Sequence, residues 1–255
     1  MSQARAVLIG ASNIYRTLPL GLAAARQILG QERDLEMLVA AGRGRSYGQW
    51  STLLGRTMPG ILECGIWRAL ENGQESETYT LIADIGNDIG YGVQPAVLVG
   101  WVEECVRRLQ PLGEKHVLVL PPARAILARP SWQLDTARRL LFPSHAIDAA
   151  AIKDRVREMD ERLRDMVSRY DVTVIEQLDD WYGIDPIHIR PGCWSESWNA
   201  WMAPWNESAD TSVRSKASTS EWVRTMTGRP ERWAFLGIPQ KGRDAVLAGA
   251  RICFY

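Results

Sequence analysis

The chain has 255 residues, 46% of them hydrophobic, with 30 Lys plus Arg balanced by 30 Asp plus Glu. That balance leaves no basic excess for a nucleic-acid backbone or an anionic membrane, and no apolar run nears the roughly 18 residues that span a bilayer, so a soluble globular protein with neither partner is expected. The short apolar run at residues 6–11 lacks the flanks of a secretory signal, and four scattered cysteines without a CxxC pair argue against a disulfide framework or a zinc site; a cytoplasmic chain with buried thiols is expected.

Residues 4–10 (ARAVLIG) are an aliphatic run ended by Gly, and residues 17–29 carry Leu and Ala at helical spacing, so the chain opens as strand, turn, helix. The unit repeats. Residues 35–41 read as a strand before a helix over 49–70 broken at Pro59, and 78–83 as a strand before a helix over 96–109, with Val97, Trp101, Cys105 and Leu109 on one face. A fourth strand over 116–120 leads into a loop bearing Pro121, Pro122, Pro130 and Pro143. In the helix expected from about 147 to 170, Ile152, Val156, Met159, Leu163, Met166 and Tyr170 recur at spacings of three and four; 172–175 is the fifth strand. Near-continuous apolar strands alternating with helices predict an α/β fold: a three-layer α/β/α sandwich with a five-stranded parallel sheet, flavodoxin-like.

After Pro191 this alternation stops. Residues 192–255 form a Trp-rich C-terminal extension, expected to pack on a main domain of residues 1–191, with an exposed polar loop over 206–220. Seven of the 11 Trp lie at Trp181 or later. Trp194, Trp198, Trp201 and Trp205 follow at spacings of four, three and four, one face of a helix that Pro204 would bend or end. Such a stripe is more often core than ligand wall. Because it starts six residues after His188, Trp194 and Trp198 are also candidate walls of a substrate pocket.

Ligands of an open parallel sheet bind beyond the carboxyl ends of its strands, which singles out four segments. Gly10-Ala11-Ser12-Asn13 follows the first strand; alone, Ser12 reads as a helix N-cap. Residues 41–46 (AGRGRS) offer glycines that let backbone N–H groups approach a ligand, or simply make a turn. Residues 84–88 (DIGND) follow the third strand; Asp84 and Asp88 are expected to hydrogen-bond the loop, because no third metal ligand follows at a calcium-loop spacing. Of three histidines only His188 has a carboxylate, Asp185, three residues before it. A nucleophilic serine needs a base, and the base needs an acceptor that fixes its tautomer, so Ser, His and Asp on converging loops are what acyl transfer requires.

These four blocks, in this order, resemble the SGNH hydrolases, also called GDSL-type esterases. Gly10-Ala11-Ser12-Asn13 is similar to the family's nucleophile block, Gly44 to its second-block glycine, Asn87-Asp88 to the end of its third block, and Asp185-x-x-His188 to its last. Ala11 stands where the family usually has Asp, and Ile85 where it usually has Gly. The resemblance implies Ser12 as nucleophile, His188 as base and Asp185 as its orienting carboxylate. It also implies an oxyanion hole from the N–H groups of Ser12 and Gly44 and the Asn87 amide. The activity implied is hydrolysis of a small or medium ester, without cofactor or metal.

Arg43 and Arg45 flank Gly44 and are either solvated loop residues or, at the pocket mouth, attractors of a substrate carboxylate or phosphate. An acyltransferase would use the same triad with a different acyl acceptor. The rival of another class is a non-catalytic flavodoxin-like binding domain, weakened by the lack of GxGxxG or GxxxxGK[ST] after the first strand. The sequence carries no signal for an oligomeric state.

Overall fold

The computed structural model describes residues 3–255 except 31–32, 54, 114, 142–146, 207–214, 235–236 and 248. In chain order the elements are β1 (Gln3–Ile9), α1 (Ser12–Leu29), β2 (Asp34–Ala40), β3 (Ser51–Leu53), β4 (Arg56–Met58), α2 (Ile66–Asn72), β5 (Glu77–Ile82), α3 (Asn87–Gly90), α4 (Pro95–Leu109) and β6 (Lys115–Val119). They continue with α5 (Ala123–Leu127), α6 (Ser131–Leu141), α7 (Ala149–Val167), β7 (Thr173–Ile175), α8 (Trp194–Met202), α9 (Thr219–Thr227), β8 (Arg232–Ala234), β9 (Ile238–Gln240), β10 (Ala245–Leu247) and β11 (Ala250–Phe254).

The main sheet runs β10-β11-β2-β1-β5-β6-β7, all parallel except for the β10–β11 pair. Its middle is the expected parallel set, and strand residues alternate between two apolar layers. Ala6, Leu8, Met37, Val39 and Leu81 face α1 and α8, while Val7, Ile9, Leu38, Ala40 and Ile82 face α2, α4 and α7. The expected strand number is corrected from five to seven. Strand β11 returns along β2, with Ile252 opposite Met37, and its own alternation (Ala250, Ile252 and Phe254 buried in the α1 layer) makes it a core strand, with β10 paired antiparallel at its outer side. Sequence separation hid this pairing, which joins positions more than two hundred residues apart.

Other expectations shift for local reasons. The helix over 49–70 is instead the β3–β4 hairpin, followed by α2; Gly55, at φ 71, supplies the left-handed turn residue, and Ser51 faces Met58 across the ladder. The proline-bearing loop contains α5 and α6, with Pro130 directly before α6; Pro143 lies outside the described residues. In α4 the buried stripe is Leu98, Val102, Cys105, Val106 and Leu109, and Val97 is 47% exposed. A strict four-residue spacing rotates about 40° per step around a helix, so Val97 and Leu109 cannot share one face. The stripe of α7 is as expected, with Val156, Met159, Leu163 and Met166 buried. Of the expected polar loop, 207–214 lie outside the described residues, and Ser218 caps α9 in a reciprocal box with Glu221.

A second, small antiparallel sheet, β3-β4-β8-β9, stands beside the main one and joins the first hairpin to the C-terminal extension. Helix α8 lays Trp198, Trp201 and, past its end, Trp205 into the α1 layer, all at most 1% exposed. Among the described residues no helix is long and apolar enough to cross a membrane.

Candidate active site

Ser12 is the first residue of α1 at the carboxyl end of β1, and it is buried. The expectation that it caps the helix is corrected: Ala11 occupies the cap position and makes no side-chain cap bond. The orphan N–H groups of this helix start are met from another loop. Asp84, just past β5, accepts from Ala11 N (3.0 Å), Ile14 N (3.0 Å) and Asn13 Nδ2 (2.7 Å). A negative charge here also suits the positive end of the helix. Asp84 has φ 60, a left-handed conformation that Asp tolerates better than most side chains. With Asp84 so engaged, the Ser12 hydroxyl is not committed to the helix.

Asn13 then ties the last block to the first. Its amide donates to Ile187 O (3.1 Å) and its side-chain oxygen accepts from Ile189 N (3.0 Å), gripping the chain on both sides of His188. His188 Nδ1 donates to Asp185 Oδ2 at 2.6 Å, which leaves Nε2 as the other, outward nitrogen. Asp185 Oδ1 accepts from Ile187 N (2.9 Å) and His188 N (3.2 Å). Burial raises the Asp185 carboxyl, but the hydrogen bond and charge of His188 and the two N–H groups outweigh it and hold the carboxyl below its ordinary value. The other described histidine is committed elsewhere: His116 Nδ1 bonds Thr80 Oγ1 (2.9 Å) and Nε2 donates to Gly113 O (2.7 Å).

The third block places Asn87 at the start of α3, after Gly86 at φ 136, a conformation only glycine adopts freely. The Asn87 Nδ2 is buried and has no hydrogen-bond partner. An amide donor left unpaired by the protein, on a residue that lines a cavity, is available to a ligand there. Asp88 points the other way and accepts from the Ser46 hydroxyl and Tyr47 N (3.2 Å), locking the second block onto the third. Burial pushes the Asp88 carboxyl up to about 6. Gly44, at φ 68, turns between them, and its carbonyl accepts from the Tyr91 hydroxyl at 2.7 Å. A side chain at Gly44 would collide with Leu53 (2.6 Å).

A cavity of about 90 Å³ opens here, lined by Ser12, Asn13, Asp84 and Asn87 together with apolar side chains such as Ile152 and Met159. Arg43 is exposed beside a separate cavity. Arg45 is neither at a pocket mouth nor solvated: it is fully buried, its Nε donating to Pro59 O (3.2 Å) and its Nη1 to the main-chain oxygen of Tyr255. The tryptophans are also placed away from this cavity. Trp198 packs on Gly21 and donates to Thr17 Oγ1 (2.7 Å), and half-buried Trp194 donates to Ile189 O (2.8 Å) and stacks near Trp222. Trp194 thereby holds the chain directly after His188. Sequence reasoning missed the role of Asn13, whose partners beside His188 lie more than 170 residues away and leave no local signal.

A parallel sheet ordered β2-β1-β5-β6-β7, with these blocks gathered at its carboxyl edge, has the fold of the SGNH hydrolases. The chain is similar to a solved structure described as a carbohydrate acetylesterase family member from Sinorhizobium meliloti, with TM-score 0.52 and 14% identity over 80% of this chain and 96% of the other. It is more distantly similar to the M. smegmatis aryl esterase (TM-score 0.46, 14% identity, 78% and 94% covered). No protein-family profile and no curated protein sequence matches the chain.

Proposed function

We propose that the chain is a serine esterase acting through an acyl-enzyme on Ser12. The observation that carries this reading is the Asn13 grip: it brings the flanks of His188, already paired with Asp185 at 2.6 Å, onto the turn that starts with Ser12. Ser12 Oγ attacks the ester carbonyl while His188 Nε2 takes its proton, and Asp185 steadies the imidazolium. The imidazolium protonates the departing alcohol. Water, deprotonated by the same nitrogen, then attacks the acyl-enzyme and releases the acid and free Ser12. No hydrogen bond joins Ser12 to His188 at rest, and the contact tightens when substrate fills the site, as catalytic contacts commonly do.

The unpaired Asn87 Nδ2 is the side-chain donor of the oxyanion hole, with the N–H groups of Ser12 and Gly44 completing it. The apolar cavity of about 90 Å³ receives the acyl part and sets a small to medium size for it. A fluorophosphonate probe tests the assignment: wild-type protein labels at Ser12, whereas Ser12→Ala and His188→Ala fold normally, do not label and do not hydrolyse phenyl acetate. Undiminished hydrolysis by either folded variant overturns the triad.

A further inference from the structure

The sheet order β2-β1-β5 places Ser12, at the end of β1, between two sets of loops. The apolar cavity lies on the β5 side. On the β2 side is a second cavity, of about 230 Å³, lined by Arg43 from the loop after β2, Arg56 from β4, Arg232 from β8 and Tyr15. Tyr15 stands one helical turn beyond Ser12 on α1, and Arg43 immediately precedes Gly44, so this cavity adjoins the nucleophile and the second block.

The small sheet builds this wall by its pleat. Thr57 faces Trp233 across the β4–β8 ladder, so the preceding residues, Arg56 and Arg232, both point to the opposite face, the one that closes the cavity. The Arg232 Nε donates to Gln240 Oε1 (2.8 Å), which holds the guanidinium at its edge. Among the described residues no carboxylate lines the cavity. Three guanidiniums around one hollow repel each other. Burial first, then the charges of Arg56 and Arg229 against the opposing pull of Tyr15, lower the Arg232 guanidinium from its ordinary value. An oxyanion seated there would relieve that repulsion and accept forked hydrogen bonds.

We propose that this arginine-lined cavity is an anion subsite for the alcohol part of the substrate, which carries a carboxylate or phosphate, with the acyl part in the apolar cavity across Ser12. This rests on the esterase reading for its orientation but not for the anion itself. The subsite is made jointly by the first hairpin and the C-terminal extension, so the extension acts in substrate choice through Arg232 rather than through its tryptophans.

Two measurements test it. Calorimetric titration of the Ser12→Ala protein with inorganic phosphate and, separately, benzoate gives saturable binding of at least one anion and identifies which is preferred. An Arg56→Gln/Arg232→Gln pair weakens that binding about tenfold or more, while Arg157→Gln on the outer face of α7 leaves it unchanged. Hydrolysis of phenyl acetate, 4-acetoxybenzoate and 4-acetoxyphenyl phosphate is then compared. The double variant lowers the ratio of anionic to neutral kcat/KM by about tenfold, through KM. Anion binding that depends on the two arginines, without turnover of any ester, supports the cavity and overturns the esterase reading. Absence of saturable binding in folded protein, or binding and kcat/KM ratios unmoved by the double substitution, overturns the subsite.

Discussion

Asn13→Ala is the most informative perturbation, because in the proposed mechanism Asn13 takes no part in proton or acyl transfer yet ties the His188 segment to the start of α1. The substitution deletes three hydrogen bonds, of 2.7, 3.1 and 3.0 Å, and orphans Ile189 N–H and Ile187 O. Ile189 is only 3% exposed, so water cannot replace the lost acceptor while the segment stays in place. At about 2 kcal/mol for each orphaned main-chain group, the native segment loses ~4 kcal/mol. For a chain of this size about 2–4 °C is lost per kcal/mol, so Tm falls by about 8–16 °C if the segment stays put. If it peels away to reach water, Tm falls less but His188 leaves Ser12. Displacement of a catalytic group by about 1 Å costs on the order of a hundredfold in rate. The assay pairs a circular-dichroism melt with kcat and KM on phenyl acetate at a temperature well below the melt. The expected result is kcat down by about a hundredfold with KM little changed, and no further loss when Asn13→Ala is added to His188→Ala. A folded Asn13→Ala protein with kcat within about twofold of wild type would refute the positioning argument.

Further outcomes follow from the same geometry. Asn87→Ala should lower kcat about a hundredfold or more, yet leave Tm unchanged or raised, because the Nδ2 it removes is buried without a partner; a large loss of Tm would show the amide to be structural. Asp88 is pushed from 3.8 up to about 6, so its contribution to stability is full below about pH 4 and is lost as pH rises through about 6. Urea melts of wild type and Asp88→Asn across pH 4 to 7 should therefore show wild type losing ground relative to the variant as pH rises. Trp198→Ala opens a void between α8 and α1 and removes the indole donor to the Thr17 hydroxyl, which keeps its bond to Asn13 O, and should cost about 3–5 kcal/mol by the same melts, with activity per folded molecule changed far less.

The parts of the fold legible in the sequence were those with a local cause. Apolar runs marked β1, β2, β5, β6 and β7, with Gly or Pro closing the runs of β1, β2 and β6, and the three- and four-residue recurrence from Val156 to Met166 marked α7. The β3–β4 hairpin was not legible, because two three-residue strands carry too few side chains to show a period, and their partner β8 lies about 175 residues later. Arg45 shows the same limit for side chains. Beside Gly44 it reads as a loop cation, and only the return of β11 brings the main-chain oxygen of Tyr255 over its guanidinium.

For the candidate site, residue identity and order along the chain were enough to select Ser12, Asp185 and His188, because the chemistry of acyl transfer asks for those side chains on loops at strand ends. The sequence by itself therefore determined the parallel α/β core and nominated the candidate reacting groups, both from short-range patterns. Tertiary structure alone decided that Asp84, rather than a local side chain, caps α1, that Asn13 clasps the His188 segment, and that Arg56 and Arg232 meet across a small sheet. Each of those contacts joins residues at least about 70 positions apart. Their pairing is fixed by which strands lie side by side, and no periodicity along the chain encodes that.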